Sequence, residues 1–199
     1  MTILAAALFG YLLGSVPFGL VITRLAGLGD IRAIGSGNIG ATNVLRTGRK
    51  DLALATLVLD GGKAAIAVLI ADALGWRPEI AGAAAFLGHC FPVWLKFNGG
   101  KGVATFMGAL LALWFPAGVF ACAIWLILAF LFRMSSLAAL GAAAASPLVL
   151  FSMGKPEFAV AALFMAALIF VRHHANIRRL IAGAEPKIGE AKKNKDETS

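Results

Sequence analysis

The chain is 199 residues long, 60% hydrophobic and only 14% charged, with a mean hydropathy of +0.85 and a formal net charge of +8. Ordinary soluble globules are about 45–50% apolar and about 25% charged, so that class is excluded. The basic residues are scattered through short segments rather than gathered in an aromatic-interleaved stripe, which argues against nucleic acid and for anionic lipid or a small anionic substrate.

Apolar runs recur near residues 2–23, 52–74, 80–95, 103–115, 117–132, 137–153 and 158–171, separated by short polar connections. A crossing of an approximately 30 Å hydrocarbon core takes about 20 apolar residues, and the pattern predicts an all-α integral membrane protein with seven transmembrane helices. The first run has no basic n-region and no small-residue cleavage site, so it is read as a helix rather than a removable leader. With the N-terminus outside, every Lys and Arg except Lys63, Arg77 and Lys155 falls in an inside loop or the C-terminal tail. That asymmetry predicts a cytoplasmic C-terminus.

The first inside segment of interest is GSGNIGATNVLR, Gly35 to Arg46. Gly35, Gly37 and Gly40 spell G-x-G-x-x-G, but a dinucleotide fold needs a preceding strand and a soluble βαβ unit, and the flanks here are membrane-length apolar runs. What survives is an anion cradle. Glycine lets consecutive N–H groups converge, a helix starting near Ala41 adds its positive end, and Ser36, Asn38, Thr42 and Asn43 offer neutral donors. Arg46 offers a fork suited to phosphate. The alternative is a plain glycine-rich turn capped by Ser and Asn.

Asp60 and Lys63 lie three residues apart inside the second run, where two lone charges are costly and mutual pairing is expected. They are read as structural support, as is His89. The segment GHCFPVWLKFNGGKGVATF, Gly88 to Phe106, lacks the Walker spacing and leaves one cation, Lys101, among Gly99, Gly100 and Gly102. Such a charge at a membrane surface calls for an anion, unless it only snorkels to the interface. FRMSSLA, Phe132 to Ala138, contributes Ser136, although Ser pairs also cap helices. RHHANIRRL, Arg172 to Leu180, continues a run of about 14 residues, about 21 Å and so too short to cross. The last helix should therefore extend into it, with His173 and Asn176 one turn apart on a shared face.

Residues 1–182 read as a single seven-helix domain and 183–199 as a flexible cytoplasmic tail. Cys90 and Cys122 stand in apolar surroundings and suggest buried thiols without a disulfide. There is no H-E-x-x-H, no carboxylate cluster, no Cys/His ligand spacing and no G-x-S-x-G elbow, so neither a metal, a cofactor nor a serine relay is expected. Anion cradles on one membrane face suit a phosphate-bearing substrate that brings its own reactivity. A transporter of a small organic anion uses similar features, and residue chemistry alone leaves both open, with a scaffold behind them.

Five segments together resemble the PlsY type of bacterial membrane acyltransferase: YLLGSVPFG (Tyr11 to Gly19), GSGNIGATNVLR, LDGGK (Leu59 to Lys63), GHCFPVWLKFNGGKGVAT and RHHANIRRL. The resemblance extends to about Pro186. It implies a multi-pass protein of the bacterial cytoplasmic (inner) membrane with its catalytic loops inside. The implied reaction is transfer of a fatty acyl group from acyl phosphate to the sn-1 hydroxyl of glycerol 3-phosphate. The products are lysophosphatidic acid and inorganic phosphate, the first acylation step of phospholipid biosynthesis. A hand-off from the soluble enzyme that makes acyl phosphate is implied as well.

Carried over by position, Ser36, Gly37, Asn38 and Thr42 with the Gly99 to Gly102 loop would line the acyl-phosphate site, and Arg46, Lys101, Ser136, His173 and Asn176 would hold glycerol 3-phosphate. Lys101, Arg46, Ser36 and His173 are the expected catalytic residues, with Gly35 and Asn43 completing the binding set. His174, Ala175 and Asn98 depart from the usual pattern of the family, and Gly61 and Gly62 before Lys63 would loosen their helix.

Overall fold

The computed structural model describes residues 1–189. The end of the expected tail, with Lys192, Lys193 and Lys195, lies outside the described residues. The first apolar run divides into α1, Thr2–Gly14, and α2, Phe18–Leu25. Pro17 causes the break, because it has no N–H to donate and disfavours the helical conformation at Val16. Short 3-10 turns at Ile31–Ala33 and Leu45–Thr47 bracket α3, Ala41–Val44. Then follow α4, Lys50–Ala73; α5, Pro78–Cys90; a 3-10 turn at Val93–Leu95; and α6, Val103–Leu113. The chain closes with α7, Phe115–Phe132; α8, Ser135–Ser152; α9, Pro156–Arg172; and α10, His174–Ile181. Proline stands in the first turn of α5, α7 and α9, where the missing N–H is lost at no cost.

Among the described residues four stretches are long and apolar enough to cross a membrane: Thr2–Leu25, Lys50–Ala73, Phe115–Phe132 and Ser135–Ser152. The bent pair of α9 and α10 makes a fifth. The runs near 80–95 and 103–115 give shorter helices than expected, 13 residues in α5 and 11 in α6. The chain between them, Phe91 to Gly102, is spent on a turn and a glycine loop. The last helix also departs from expectation, since it does not run straight through the RHHANIRRL segment but turns by 63° at His173. Beyond the apolar run, α10 is a short amphipathic helix whose buried residue is Asn176.

The core centres on α5, which packs against α1, α4, α6 and α9. Ala81, Ala85, Phe86 and Cys90 of α5 are fully buried, among Ala64, Ala67 and Val68 of α4, Leu110 of α6, and Met165 and Ile169 of α9. Contact with α1 is backbone to backbone: a Cβ on Gly10 or Gly14 would overlap the backbone of Ala81 or Ala85. Small residues permit this approach, and with it dispersion contacts that do not depend on water. A second cluster of Leu20, Ile31, Ile39, Val44 and Ala53 lies under the first glycine segment. By contrast, α7 exposes Leu126, Ile127, Phe130 and Leu131, an outward apolar surface of the kind that hydrocarbon covers favourably. Both cysteines are free thiols.

Candidate active site

Asn43 is the organiser of the first glycine segment. Its buried amide donates from Nδ2 to the carbonyls of Ile31 (2.8 Å), Asn38 (2.8 Å) and Ile34 (3.1 Å). Its Oδ1 accepts from the Ser36 N–H at 3.1 Å and from Ser36 Oγ at 3.3 Å. The expected role as a substrate donor is corrected here, because the whole amide is engaged in shaping the loop. Gly35, at φ +57°, sits against the Asn43 and Arg46 side chains, which a Cβ would displace. Ser36, Gly37, Thr42 and Arg46 are left exposed on the outer side of the turn, with Asn38 half-buried.

The second loop rests on the last turn of α5. Gly99 N–H donates to the Cys90 carbonyl at 3.1 Å and Gly100 N–H to the His89 carbonyl at 3.0 Å. Their own carbonyls accept from Arg172, at 2.7 Å for Gly99 and 3.1 Å for Gly100. The Gly99 and Gly100 amides therefore fix the loop that the sequence reading places at the acyl-phosphate site. Tyr11 of α1 reaches the same region, donating its hydroxyl to the Phe91 carbonyl at 2.8 Å. Gly102 adopts φ +82° against the Phe86 ring and opens α6. Among the described residues the N–H groups of Lys101, Gly102 and Val103 have no hydrogen-bond partner. They form the positive end of α6, a site suited to an anion.

Lys101 leaves this loop and donates from Nζ to Asn176 Oδ1 at 2.5 Å. Asn176 Nδ2 donates to Glu185 Oε1 at 2.6 Å, as does Ser136 Oγ at 2.6 Å, while Arg179 Nε donates to Glu185 Oε2 at 2.7 Å. Groups from α8 and α10 thus converge on one carboxylate of the following segment, and the glycine loop is joined to it through Asn176. The first segment joins them where Thr42 Oγ1 and Ser135 Oγ lie 3.4 Å apart. His173, buried at the bend, donates from Nδ1 to the Ile169 carbonyl at 2.8 Å, so Nε2 keeps its lone pair. The bend sets His173 and Asn176 in the same polar centre.

Glu185, Arg172 and Arg179 were not singled out from sequence. Glu185 falls in the segment read as tail, yet it is folded onto α8 and α10, and Ile188 N–H bonds the Arg133 carbonyl at 2.6 Å. The available signal is the first carboxylate after Arg172, Arg178 and Arg179. Burial pushes the Glu185 carboxyl up, but the hydrogen bonds from Ser136, Asn176 and Arg179 together outweigh it and hold it below the usual carboxylate value. Burial drives the Lys101 ammonium down to about 8, against the opposing charge of Glu185 and with Arg179, Arg172 and Arg46 adding to the depression.

Away from this face, Asp60, Lys63 and His89 form a cluster inside the bundle. Lys63 Nζ donates to Asp60 Oδ1 (2.8 Å), the Val16 carbonyl (2.8 Å) and His89 Nδ1 (3.0 Å). The pairing expected between Asp60 and Lys63 is present. Among the described residues no three His, Cys, Asp or Glu side chains converge as metal ligands do.

The chain that carries this polar centre matches known proteins along nearly its whole length. The family model described as glycerol-3-phosphate acyltransferase covers residues 4–183. The glycerol-3-phosphate acyltransferase of Jannaschia sp. (strain CCS1) is 63% identical over 186 residues, 92% of each chain. That of Maricaulis maris (strain MCS10) is 60% identical over 191 residues, 95% of this chain and 88% of its own. The crystal structure of PlsY, an integral membrane glycerol 3-phosphate acyltransferase, in its glycerol 3-phosphate form superposes with a TM-score of 0.89 at 40% identity, covering 95% of this chain and 96% of that one. The lysophosphatidic acid form gives 0.87 at 40% identity, covering 94% and 95%. Sequence and fold agree over nearly the whole chain, and the chain belongs to the glycerol-3-phosphate acyltransferase family, as an integral membrane protein of the PlsY type.

Proposed function

We propose that this acyltransferase takes its acyl group from acyl phosphate and passes it to the sn-1 hydroxyl of glycerol 3-phosphate, giving lysophosphatidic acid and inorganic phosphate. The observation that carries the reading is the convergence of Ser136, Asn176 and Arg179 on the Glu185 carboxylate, with Lys101 bonded to Asn176. Donors that gather around one anion also suit phosphate. Glycerol 3-phosphate and lysophosphatidic acid are the ligands named for the related PlsY structures, and they match this chemistry as substrate and product.

In this reading Arg46, Ser136, Asn176 and His173 hold glycerol 3-phosphate, the His173 Nε2 lone pair accepting from a glycerol hydroxyl. Ser36, Gly37, Asn38 and Thr42, with the amides at the start of α6, line the acyl-phosphate site. Lys101 stands between the two. The sn-1 oxygen bonds to the acyl carbon, the bond from that carbon to the phosphate oxygen breaks, and the hydroxyl proton passes to the departing phosphate. The mixed anhydride is already activated, so the protein contributes alignment and charge neutralisation.

The same reading has the chain crossing a bacterial cytoplasmic membrane seven times, N-terminus outside and loops on the cytoplasmic face. The seven apolar runs and the distribution of Lys and Arg support it. The shortness of α5 and α6 is compatible, since both are packed among other helices. A cytoplasmic site also accepts acyl phosphate directly from the soluble enzyme that makes it.

The test supplies purified protein with glycerol 3-phosphate and either palmitoyl phosphate or palmitoyl-CoA, and follows lysophosphatidic acid and phosphate. Product from palmitoyl phosphate alone is expected. Product from the thioester alone overturns the donor assignment.

A further inference from the structure

Lys63 lies midway along α4 with a side chain only 1% exposed, and all three of its ammonium hydrogens are engaged, by Asp60, by Val16 and by His89. An ammonium can only donate, so His89 Nδ1 is the acceptor and the imidazole proton resides on Nε2. That Nε2 edge faces Gly100: a Cβ placed on Gly100 would overlap it. The His89 and Cys90 carbonyls then hold the Gly100 and Gly99 amides. A continuous path therefore runs from a buried ion pair, through one imidazole, to the residue next to Lys101.

Holding helices together does not require charges, since buried ion pairs are often replaced by apolar residues without loss of stability. What three directed hydrogen bonds on one nitrogen add is orientation. They fix the ring angle and tautomer of His89, and they tie it to the Val16 carbonyl at the break between α1 and α2.

We propose that Asp60, Lys63 and His89 are positioning residues, which set the height of the Gly99 to Gly102 loop and so the placement of the Lys101 ammonium against Asn176. The inference rests on the reading that Lys101 neutralises substrate phosphate. The glycine at position 100 is the joint: only a residue without a side chain lets the loop lie directly on the imidazole.

The experiment uses the full chain purified in detergent, with turnover measured at saturating glycerol 3-phosphate and melting temperature measured in parallel. Three variants probe the path: His89→Asn, which keeps an acceptor for Lys63 but removes the ring beneath Gly100; Gly100→Ala; and the paired change Asp60→Asn with Lys63→Met, which leaves no unpaired buried charge. Each should lower kcat by about 100-fold, the scale of a 1 Å misplacement, with little change in melting temperature. Two readouts separate positioning from mere support. In a Lys101→Ala background the paired change should cost no further activity, and Gly100→Ala combined with His89→Asn should be more active than Gly100→Ala alone, because the smaller side chain makes room for the methyl group.

Losses that add to that of Lys101→Ala, or that track melting temperature, overturn the proposal while leaving the function of Lys101 intact. If Lys101→Ala itself retains activity, the assignment of Lys101 fails instead. Should the paired variant not fold, the Gly100 and His89 combination decides alone: absence of rescue overturns the proposal.

Discussion

Lys101 Nζ donates to Asn176 Oδ1 at 2.5 Å across 75 residues of sequence, joining the glycine loop before α6 to the helix that follows the 63° bend. Each residue is held from behind as well, Lys101 by a loop clamped to α5 and Asn176 by Glu185. The site is thus largely organised before a substrate enters, which reduces the ordering cost of binding.

Lys101→Ala should reduce kcat/KM by about 1,000-fold, the scale of losing one charge-stabilising group in a transition state. Lys101→Arg should recover part of the loss, since the charge is restored, but on a planar fork in place of a compact ammonium. Lysophosphatidic acid formation by protein of unchanged melting temperature is the measurement, and near-normal turnover of the alanine variant would sink the assignment.

Activity should fall on the alkaline side. Lys101 is charged below about 8 and loses that charge as pH rises through it, so kcat/KM, which reports the free enzyme, should decline with a midpoint near pH 8. Burial depresses the ammonium most, Glu185 opposes that effect, and Arg179, Arg172 and Arg46 reinforce it. Glu185→Gln should therefore move the midpoint to lower pH and Arg46→Gln to higher pH. A midpoint that neither change moves belongs to another group.

Glu185 is predicted to anchor the site rather than compete for it. Glu185→Ala removes hydrogen bonds from Ser136, Asn176 and Arg179. Charge-assisted bonds contribute about 1.5–3 kcal/mol each, so KM for glycerol 3-phosphate should rise about 10- to 100-fold. Truncation after Ala182 should match that loss, whereas truncation after Gly189 should retain activity. A lower KM in Glu185→Ala would mean that the carboxylate competes with substrate.

Asn43→Ala leaves the Asn38 carbonyl and the Ser36 amide without their partner and takes one of two donors from the Ile31 and Ile34 carbonyls, which keep the N–H groups of Ile34 and Gly37. Each buried polar group so orphaned costs about 1–3 kcal/mol, and a net loss of about 2–4 kcal/mol is expected once water reaches the outer ones. Asn43→Asp keeps the acceptor for Ser36 but sets a carboxylate against three carbonyls. Both should lose turnover and melt earlier, read by thermal unfolding in detergent beside the activity assay. A fully active alanine variant would show that the loop keeps its shape unaided.

Much of this was legible in the chain. Composition and apolar runs gave the helical membrane class, because exclusion from water is a property of segments and scarcely depends on their partners. Glycine density around Ser36 and Lys101, together with the family resemblance, marked the polar loops and the acyltransferase chemistry. The sequence also paired Asp60 with Lys63, whose spacing of three puts both on one face of a helix.

What the tertiary structure alone decided is which polar groups are already engaged and which remain for a ligand. Asn43 reads as a donor and Gly99 and Gly100 as lining of the acyl-phosphate site, but their N–H groups are engaged within the fold, by carbonyls of the first loop and of α5. Glu185 read as tail, but it completes a network with Ser136, 49 residues away. The bend at His173 turned an expected straight helix into two, and α5 and α6 proved shorter than their apolar runs. The physical reason is common to all of these: a hydrogen bond has two partners, and when the second lies tens of residues away, only the packing of the bundle determines whether the first is engaged.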